Sequence, residues 1–492
     1  MSFLRSIMFV GTCSDAGKSI VNTAFCRIFK QDGYHPAPFK AQNMSLNSYS
    51  TPDGLEIGRA QAVQAEACGI APESDMNPVL LKPTNEQCSQ VVLNGKPVGN
   101  MSAKEYFMSN NKAELFNQAY AAYERLQARY SPIVLEGAGS ISEINLRERD
   151  ITNMRMALRT NAATYLVADI DRGGVFASVY GSIALLSGEE RKLIKGIIIN
   201  KFRGDISLFD EGRKIIHDLT GIPVVGVIPY FKDIYIEEED SVSLETKNTK
   251  AGSGKINVAI VLLKRLSNFT DFSTLERDER FHAYYTNNVE EIGKADIIIL
   301  PGTKNTISDL RNIRENGIAE AVIRAHKEGK KVIGICGGYQ MMGARIEDPD
   351  QIEGDMTAIP GLGILPLVTI MEPEKVTCQD QFTFRDHPET CKGYEIHMGR
   401  TTLLDGASES PLNRLHDGRT DGYLLNDKCW GTYLHGILDN DIVLNELAEG
   451  LTQTTPTSFN YIDFKNQQYD KLADHVRAHV DLPYIYSTLK IK

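Results

Sequence analysis

The chain has 492 residues, of which 42% are apolar and 24% are charged, and its net charge is −11. This length is too great for one hydrophobic core, and the composition excludes both a small disulfide-stapled module and a disordered chain, so we expect a soluble protein of two or three domains. The negative charge has the wrong sign for a protein that neutralises phosphate backbones, so we expect no nucleic-acid partner.

Short β-branched apolar segments alternate with helix-period segments through the first half of the chain. The apolar segments are Ile7 to Val10, Ile133 to Leu135, Tyr165 to Ala168, Gly196 to Ile199 and Val224 to Ile228. Continuous apolar strands separated by helices are typical of a parallel sheet that is covered on both faces. The sequence therefore predicts an α/β domain over residues 1–236.

The segment Gly11 to Ser19, with the sequence GTCSDAGKS, follows the first predicted strand and opens a helix. This is the context of a phosphate-binding loop, whose backbone N–H groups face a polyphosphate. Thr12 and Gly17 would supply that backbone, Lys18 would neutralise the β- and γ-phosphates, and Ser19 would ligate Mg²⁺. The spacing departs from the commonest pattern by one residue, but it still favours an ATP site over a chance turn.

Polar side chains also end three later strands of this domain. Glu136 ends one strand, Asp169 and Asp171 follow another, and Asn200 ends a third. Carboxylates at the carboxyl edge of a parallel sheet, beside a phosphate loop, are the usual further ligands of Mg²⁺. We predict Glu136 and Asp171 as metal ligands with Ser19, although each could instead cap the next helix. Asn200 could contact the adenine or belong to a plain turn.

The character of the chain changes after Pro229, where the acidic run Glu237 to Asp240 and a polar stretch predict a linker over residues 237–255. A second αβ series then predicts an α/β domain over residues 256–445. Its apolar strands are Ile256 to Leu263, Ile297 to Leu300, Lys331 to Ile335 and Trp430 to Leu434. In the extension over residues 446–492, apolar residues at helical spacing between Tyr469 and Val480 predict a helix docked on one of the two domains.

Cys336 stands between a predicted strand and a predicted helix in the segment KVIGICGGYQMMG, residues 331–343. A strand, a sharp glycine-flanked turn and a helix form the thiol version of a nucleophile elbow. The N-terminus of the following helix favours the thiolate. A free cysteine is more often a small core residue, but the flanking Gly334 and Gly338 favour a nucleophile here.

A nucleophilic cysteine needs a base, and His435 in the segment GTYLHG follows a strand of the same predicted domain. His397 in the segment GYEIHMG is the alternative, and spacing alone does not dismiss it. An acyl intermediate also needs donors for its oxyanion, and the N–H groups of Gly302 and Gly337 are the candidates.

The eight cysteines are scattered, with no Cys-x-x-Cys pair and no histidine cluster at zinc-ligand spacing. Nothing at the start resembles a signal peptide, and no apolar stretch is long enough to span a bilayer. We therefore expect a cytoplasmic protein with reduced thiols, no structural metal and no membrane partner.

Several further segments complete a pattern that runs through both halves of the chain. They are FKAQNMSLNS at residues 39–48, EIGRAQ at 56–61, DIDRGGVFA at 169–177, LPGTKNT at 300–306 and GYEIHMGRT at 393–401. Together with the phosphate loop, the cysteine elbow and the histidine segment, they resemble the glutamine-hydrolysing cobyric acid synthase family.

The resemblance implies a P-loop domain similar to dethiobiotin synthetase followed by a class I-like glutamine amidotransferase domain. It matches Cys336 to the glutaminase nucleophile and His435 to its general base. Ordinary class I glutaminases carry a glutamate two residues after the histidine, where this chain has Ile437. What orients the imidazole is therefore left open, with Asp439 as the nearest candidate.

The resemblance also implies the reactants, which are ATP with Mg²⁺, glutamine and a corrinoid carboxylate. The implied substrate is adenosylcobyrinic acid a,c-diamide, which is amidated on four peripheral side chains; the oligomeric state is left open. The alternatives are cobyrinic acid a,c-diamide synthase, with the same architecture, and a P-loop ATPase that partitions DNA or positions a division site. CTP synthase shares the two-domain plan but carries the full Cys-His-Glu set.

Overall fold

The computed structural model describes residues 3–84, 87–102, 105–106, 112–237, 239, 244, 247–354, 356–451 and 459–490. Parts of the predicted linker, at residues 238, 240–243 and 245–246, and of the predicted C-terminal extension, at residues 452–458 and 491–492, lie outside the described residues.

The described residues include twenty-four strands. They are β1 (Ile7–Gly11), β2 (Ala37–Phe39), β3 (Gln42–Met44), β4 (Ser48–Ser50), β5 (Glu56–Gly58), β6 (Val79–Pro83), β7 (Cys88–Leu93), β8 (Lys96–Ser102), β9 (Ile133–Glu136), β10 (Ala163–Asp169), β11 (Ile194–Phe202), β12 (Val224–Pro229), β13 (Ile256–Val261), β14 (Phe281–Thr286), β15 (Ile297–Leu300), β16 (Lys331–Ile335), β17 (Arg345–Glu347), β18 (Ala358–Pro360), β19 (Leu367–Phe384), β20 (Thr390–Leu403), β21 (Asn413–Leu415), β22 (Thr420–Asp421), β23 (Tyr423–Asn426) and β24 (Cys429–Thr432).

The α-helices of the described residues are α1 (Lys18–Gln31), α2 (Arg59–Cys68), α3 (Lys112–Gln127), α4 (Met154–Thr160), α5 (Val175–Ala184), α6 (Gly188–Leu193), α7 (Asp210–Thr220), α8 (Val289–Lys294), α9 (Thr306–Glu315), α10 (Ile318–Lys327), α11 (Gly337–Met342), α12 (Asp441–Ala448), α13 (Tyr461–Arg477) and α14 (Leu482–Leu489). None of them is long and apolar enough to cross a membrane.

The first large sheet has the strand order β12-β11-β10-β1-β9-β2, and every neighbouring pair in it is parallel. This confirms the predicted parallel α/β fold. All residues of β1, β9 and β10 are buried, because helices cover both faces, and this is why these strands are continuously apolar. Since β1 lies between β9 and β10, the phosphate loop emerges beside Glu136 and Asp169, the last residues of those two strands.

The second large sheet has the order β14-β13-β15-β16-β24-β23, and its pairs are parallel except for β23 with β24. The strand that ends before Cys336 is β16, and it lies between β15 and β24. The segments that follow these three strands carry Gly302, Cys336 and His435. The topology therefore brings all three to one edge of the sheet.

Two features of the fold have no counterpart in the apolar patterns of the sequence. A small sheet, β3-β6-β7-β8, is inserted in the first domain, and the long antiparallel hairpin of β19 and β20 extends from the second. The hairpin reaches the first domain, where the side-chain N–H of Gln379 donates to the carbonyl of Ser50 at 2.7 Å.

The predicted C-terminal helix is present as α13, and it packs on the first domain. Leu472 and Val476 join the core that contains Phe25 of α1, and Arg27 pairs with Asp470 at 2.7 Å. Two residues of the acidic run, Glu237 and Glu239, also contact the first domain. Glu237 pairs with Arg59 at 2.7 Å, and Glu239 pairs with Lys40 at 2.9 Å. Both cations are buried, and each carboxylate neutralises the charge of its partner.

Candidate active sites

Cys336 occupies a strained turn between β16 and α11. Its backbone has φ 52° and ψ −110°, a region that L-residues rarely adopt and that is concentrated at functional sites. The neighbouring glycines allow the close packing of this turn. A Cβ atom at Gly338 would lie 1.9 Å from the carbonyl oxygen of Leu300, and one at Gly334 would lie 2.6 Å from Met342 Sδ. The geometry is that of a nucleophile elbow.

His435 is oriented by Asp271, a residue that sequence reasoning missed. His435 Nδ1 lies 2.7 Å from Asp271 Oδ2, and both side chains are about 2% exposed or less. The second oxygen of Asp271 accepts a hydrogen bond from the backbone N–H of Gly436 at 3.0 Å. Asp271 lies in the short 3-10 helix Phe269–Phe272, between β13 and β14. Cys336, His435 and Asp271 thus form a nucleophile, a base and an orienting carboxylate.

The electrostatics of this triad favour a protonated imidazole. Burial lowers the pKa of His435, but the carboxylate of Asp271 and the Cys336 sulfur, which also hydrogen-bond with the ring, outweigh burial and raise that pKa to about 10. An imidazolium beside a cysteine favours the thiolate, which is the nucleophilic form.

Two other candidates from the sequence are engaged elsewhere. The hydroxyl of Thr274 donates to Asp439, and burial raises the pKa of Asp439 to about 7, so this side chain does not orient the imidazole. His397 Nε2 lies 3.1 Å from Glu395 Oε2, and its Nδ1 lies 3.1 Å from the carbonyl oxygen of Gly399. Both ring nitrogens of His397 therefore have partners other than Cys336.

The two predicted oxyanion donors lie beside the triad. A Cβ atom at Gly302 would be 3.0 Å from His435 Cε1, and one at Gly337 would be 2.7 Å from Thr303 Cγ2, so both backbones pass close to the site. Gly337 is the first residue of α11, where an N–H has no partner within the helix. The two backbones lie close enough to the triad for their N–H groups to remain the candidates for an oxyanion hole.

A cavity of about 40 Å³ opens onto Cys336, and Lys304 and Glu353 are part of its wall. Burial lowers the pKa of Lys304 and raises the pKa of Glu353 to about 7. The N–H of Ile307 donates to Glu353 at 3.0 Å. A cation and an acid in one small cavity complement the α-carboxylate and the α-ammonium of an amino acid.

The phosphate loop has the predicted conformation. Gly17 has φ 92°, which only glycine adopts freely, and α1 begins at the next residue. The side chain of Lys18 is buried and donates to the carbonyls of Cys13 at 3.2 Å and Gly139 at 2.9 Å. Burial is the main reason that its pKa is lowered. The N–H of Thr12 donates to the carbonyl of Val167 at 3.1 Å, which fixes the start of the loop on β10.

Ser19 lies at a cluster of oxygen atoms that includes Glu239, a second residue that sequence reasoning missed. Ser19 Oγ is 2.8 Å from Glu136 Oε1 and 2.9 Å from Glu239 Oε2. Lys40 Nζ lies 3.0 Å from Glu136 and 2.9 Å from Glu239. Burial opposes the charge of Lys40, but the two carboxylates outweigh burial and raise its pKa. These oxygen atoms already surround the ammonium group of Lys40. Hard oxygen ligands of this kind also fit Mg²⁺.

The side chains of Asp171 and Asn200 contact other parts of the first domain, and their roles at the metal and at the adenine stay predictions. The carboxylate of Asp171 is exposed and accepts two hydrogen bonds from Arg203, at 2.6 and 3.0 Å, and it has no bond to the Ser19 cluster. The amide of Asn200 donates to the carbonyl of Ala16 at 2.9 Å, so this side chain braces the phosphate loop. The charge of Asp171 is satisfied on the surface, which leaves Glu239 as the second carboxylate beside Ser19.

The two sites are joined by the segment at Asn47. Asn47 Oδ1 accepts from the N–H of Phe269 at 3.1 Å, and its Nδ2 lies 3.4 Å from the carbonyl oxygen of Glu239. The N–H of the next residue, Ser48, donates to Asn268 Oδ1 at 3.0 Å. Asn47 therefore connects the turn that carries Asp271 with Glu239, which contacts Ser19.

A buried charged group also joins the domains beside the Cys336 cavity. Glu56 lies 2.7 Å from Lys82 Nζ, and Lys375 of β19 contacts its other oxygen. Burial opposes the ionisation of Glu56, but the two lysines outweigh burial and hold the pKa of this carboxyl below its usual range. Both lysines are part of the cavity wall.

Comparison with known proteins divides the chain at the same place as its two sheets. Residues 7–244 match a family model described as the CobQ/CobB/MinD/ParA nucleotide binding domain, and residues 257–443 match the CobB/CobQ-like glutamine amidotransferase domain. These two spans contain the phosphate loop and the Cys336 triad, respectively.

Full-length relatives match over both domains. A protein of Parabacteroides distasonis named cobyric acid synthase is 71% identical over 491 residues, which cover 99% of each chain. Proteins with the same name from Bacteroides fragilis and Phocaeicola vulgatus are 62% and 59% identical, over 99% of this chain and 98% of theirs.

Proposed function

Because the chain belongs to the cobyric acid synthase family, we propose that it amidates the b, d, e and g carboxylates of adenosylcobyrinic acid a,c-diamide, with ATP and with glutamine as nitrogen donor, to give adenosylcobyric acid. The observation that carries the proposal is the pairing of a thiol triad in one domain with a phosphate loop in the other. Neither site alone forms an amide from a carboxylate and glutamine.

In the amidotransferase domain, the thiolate of Cys336 attacks the side-chain amide carbon of glutamine. The N–H groups of Gly302 and Gly337 stabilise the oxyanion, and the imidazolium of His435 gives its proton to the departing ammonia. Asp271 holds the imidazole in the required orientation throughout. Water, activated by the now neutral imidazole, then hydrolyses the thioester to glutamate and frees the thiol. Lys304 and Glu353 are the residues whose charges suit the α-carboxylate and the α-ammonium of glutamine.

In the P-loop domain, a carboxylate oxygen of the corrinoid attacks the γ-phosphorus of ATP, and ADP leaves. Ammonia then attacks the carbonyl carbon of the acyl phosphate, phosphate leaves, and the nitrogen loses a proton to give the amide. Lys18 neutralises the charge of the β- and γ-phosphates, as other phosphate loops do. Thr12 and Gly17 shape the loop, and Asn200 braces it.

Mg²⁺ is the metal that this chemistry implies, and Ser19, Glu136 and Glu239 are the residues that would hold it. When bound, Mg²⁺ neutralises the charge of the transferred phosphoryl group. Lys40 holds the two carboxylates close together, as its contacts with both of them indicate.

Two alternatives are weaker. Cobyrinic acid a,c-diamide synthase shares the domain plan, but the relatives that match the full length carry the name of the other enzyme. A partition ATPase has no use for a buried Cys336–His435–Asp271 triad.

The proposal is tested with the purified protein and Mg·ATP, with adenosylcobyrinic acid a,c-diamide and, in a parallel assay, with cobyrinic acid, by following each amidation with mass spectrometry. Four amidations are expected with glutamine, and also with an ammonium salt at high pH. Lys18→Ala should abolish both reactions, because it removes a charge needed for activation. Full ammonia-driven activity in that variant would place the ATP site elsewhere. ATP turnover that needs only DNA or a membrane, or amidation of cobyrinic acid at a and c alone, would overturn the proposed function.

A further inference from the structure

A cavity of about 560 Å³ lies in the first domain beside the phosphate loop. Its wall includes Gly139, and the carbonyl of Gly139 accepts a hydrogen bond from Lys18 Nζ at 2.9 Å. Ser140 and Ile141 continue the same wall, and the hydroxyl of Ser140 donates to the carbonyl of Thr12 at 2.7 Å. The cavity therefore begins where the γ-phosphate of a nucleotide held by Lys18 would end. An acceptor of that phosphoryl group must reach this point.

One part of the wall is apolar. Ile141, Leu146, Met154 and Leu158 line the cavity, and the side chain of Leu158 is 43% exposed. Leu158 lies on the short helix α4, which forms this side of the cavity. In a cavity next to a catalytic loop, it provides a surface against which an apolar ring can pack.

Another part of the wall carries two arginines that have no carboxylate partner among the residues that the structure describes. Arg149 and Arg155 line the cavity, and within the described part of the chain neither forms an ion pair. The guanidinium of Arg155 lies over the ring of Phe116, with its Cζ 4.2 Å from the ring centroid, and this contact restricts its position. In contrast, Arg147 of the same wall is neutralised by Glu190. Planar guanidinium groups bind carboxylates through two parallel hydrogen bonds.

The wall also carries acids, so that its charge is mixed. Glu143 and Glu148 line the cavity with the arginines. Acceptors of this kind suit the N–H₂ groups of primary amides, whereas the arginines suit carboxylates. A ligand that carries both groups around an apolar ring matches all three parts of the wall.

We propose that this cavity is the corrinoid-binding site of the protein: the apolar wall packs against the macrocycle, Arg149 and Arg155 hold peripheral carboxylates, and the carboxylate to be amidated is directed to Gly139 at the phosphate loop. The inference rests on the proposed function and assigns its substrate site. Four carboxylates have to reach the same phosphoryl group in turn, so the macrocycle must rebind in several orientations. Contacts made by single arginines with whichever carboxylates face them meet that requirement.

The test measures corrinoid binding directly, by equilibrium dialysis of the visible chromophore against the full-length protein. Arg149→Ala and Arg155→Ala are each expected to weaken binding of adenosylcobyrinic acid a,c-diamide by about tenfold, which corresponds to the loss of one charge-assisted contact. Leu158→Asp places a negative charge in the apolar wall. This charge repels the carboxylates of the corrinoid, so the variant is expected to weaken binding at least as much. Arg324→Ala removes an exposed arginine of the other domain and serves as the matched control.

Two further measurements separate the possible failures. Glutaminase activity and ATP binding should be unchanged in the three cavity variants, which shows that they are folded. If the wild-type protein does not bind the corrinoid, the proposed function fails. If the wild-type protein binds and amidates it while all three variants keep wild-type affinity, the proposed function stands and the assignment of this cavity is overturned.

Discussion

His435 Nδ1 and Asp271 Oδ2 lie 2.7 Å apart although 164 residues separate them along the chain. The carboxylate both orients the ring and stabilises its protonated form. It thus takes the place of the glutamate that ordinary class I glutaminases carry two residues after the histidine, where this chain has Ile437.

Asp271→Asn is expected to reduce glutamine-driven amidation by roughly 10²- to 10⁴-fold, in line with the loss of an orienting carboxylate in other catalytic triads. Ammonia-driven amidation should persist, because the phosphate loop is untouched. The control is Asp439→Asn, which changes the nearest acid along the sequence and should leave the glutaminase largely intact. A larger loss in Asp439→Asn than in Asp271→Asn would contradict the assigned triad.

The pKa of His435, raised from its ordinary value of 6.5 to about 10, predicts how stability depends on pH. The folded protein binds this proton more tightly than the unfolded chain, so the contribution is fully present below pH 6.5 and is lost as the pH rises to about 10. Urea unfolding at a series of pH values should show a steeper loss of the free energy of unfolding in this window for the wild type than for His435→Gln. Parallel curves would mean that His435 does not titrate in this way.

Cys336→Ser should remove glutamine-driven amidation, with a fall of roughly 10⁴- to 10⁶-fold, and spare ammonia-driven amidation. His435→Ala should give the same pattern, whereas His397→Ala should leave the glutaminase largely intact because Glu395 and Gly399 occupy its ring nitrogens. Rates are measured with glutamine and with an ammonium salt. Loss of both reactions in a folded Cys336→Ser protein would disprove the two-site mechanism.

Glu136→Gln and Glu239→Gln should each raise the Mg²⁺ concentration needed for half-maximal amidation, because an amide is a poor ligand for a hard cation. Asp171→Asn is the matched control, since its carboxylate is bound by Arg203 on the surface. Titrations of activity against Mg²⁺ with ammonia as donor isolate this effect from the glutaminase. A shift in Asp171→Asn with none in Glu239→Gln would restore the ligand set predicted from the sequence.

Glu56→Gln should destabilise the protein by about 3–5 kcal/mol, because it leaves the buried side chains of Lys82 and Lys375 without their shared carboxylate. Glu189→Gln provides the comparison, since its ion pair with Lys192 is about three-quarters exposed on both sides and is expected to contribute less than about 1 kcal/mol. Chemical unfolding of both variants gives the difference. If Glu56→Gln and Glu189→Gln have the same free energy of unfolding, Glu56 does not stabilise the contact between the domains.

The parts of the fold that could be predicted from the sequence are those set by neighbouring residues. Continuous apolar segments gave the buried strands of both large sheets, and glycine spacing gave the phosphate loop at Gly17 and the elbow at Cys336. The inserted sheet and the long hairpin of β19 and β20 were not predictable in this way, because their strands are short, or are exposed along much of their length, and lack a continuous apolar pattern.

The sequence by itself determined the two sites, since a turn geometry and a reactive side chain are encoded within a few consecutive residues. The tertiary structure decided their partners. Asp271 and Glu239 reach His435 and Ser19 across 164 and 220 residues, while Asp171, at the expected strand end, is neutralised by Arg203. The pairing of buried charges depends on which side chains the sheets and domains bring together in space. A pattern of neighbouring residues cannot predict such contacts, because the partners are far apart along the chain.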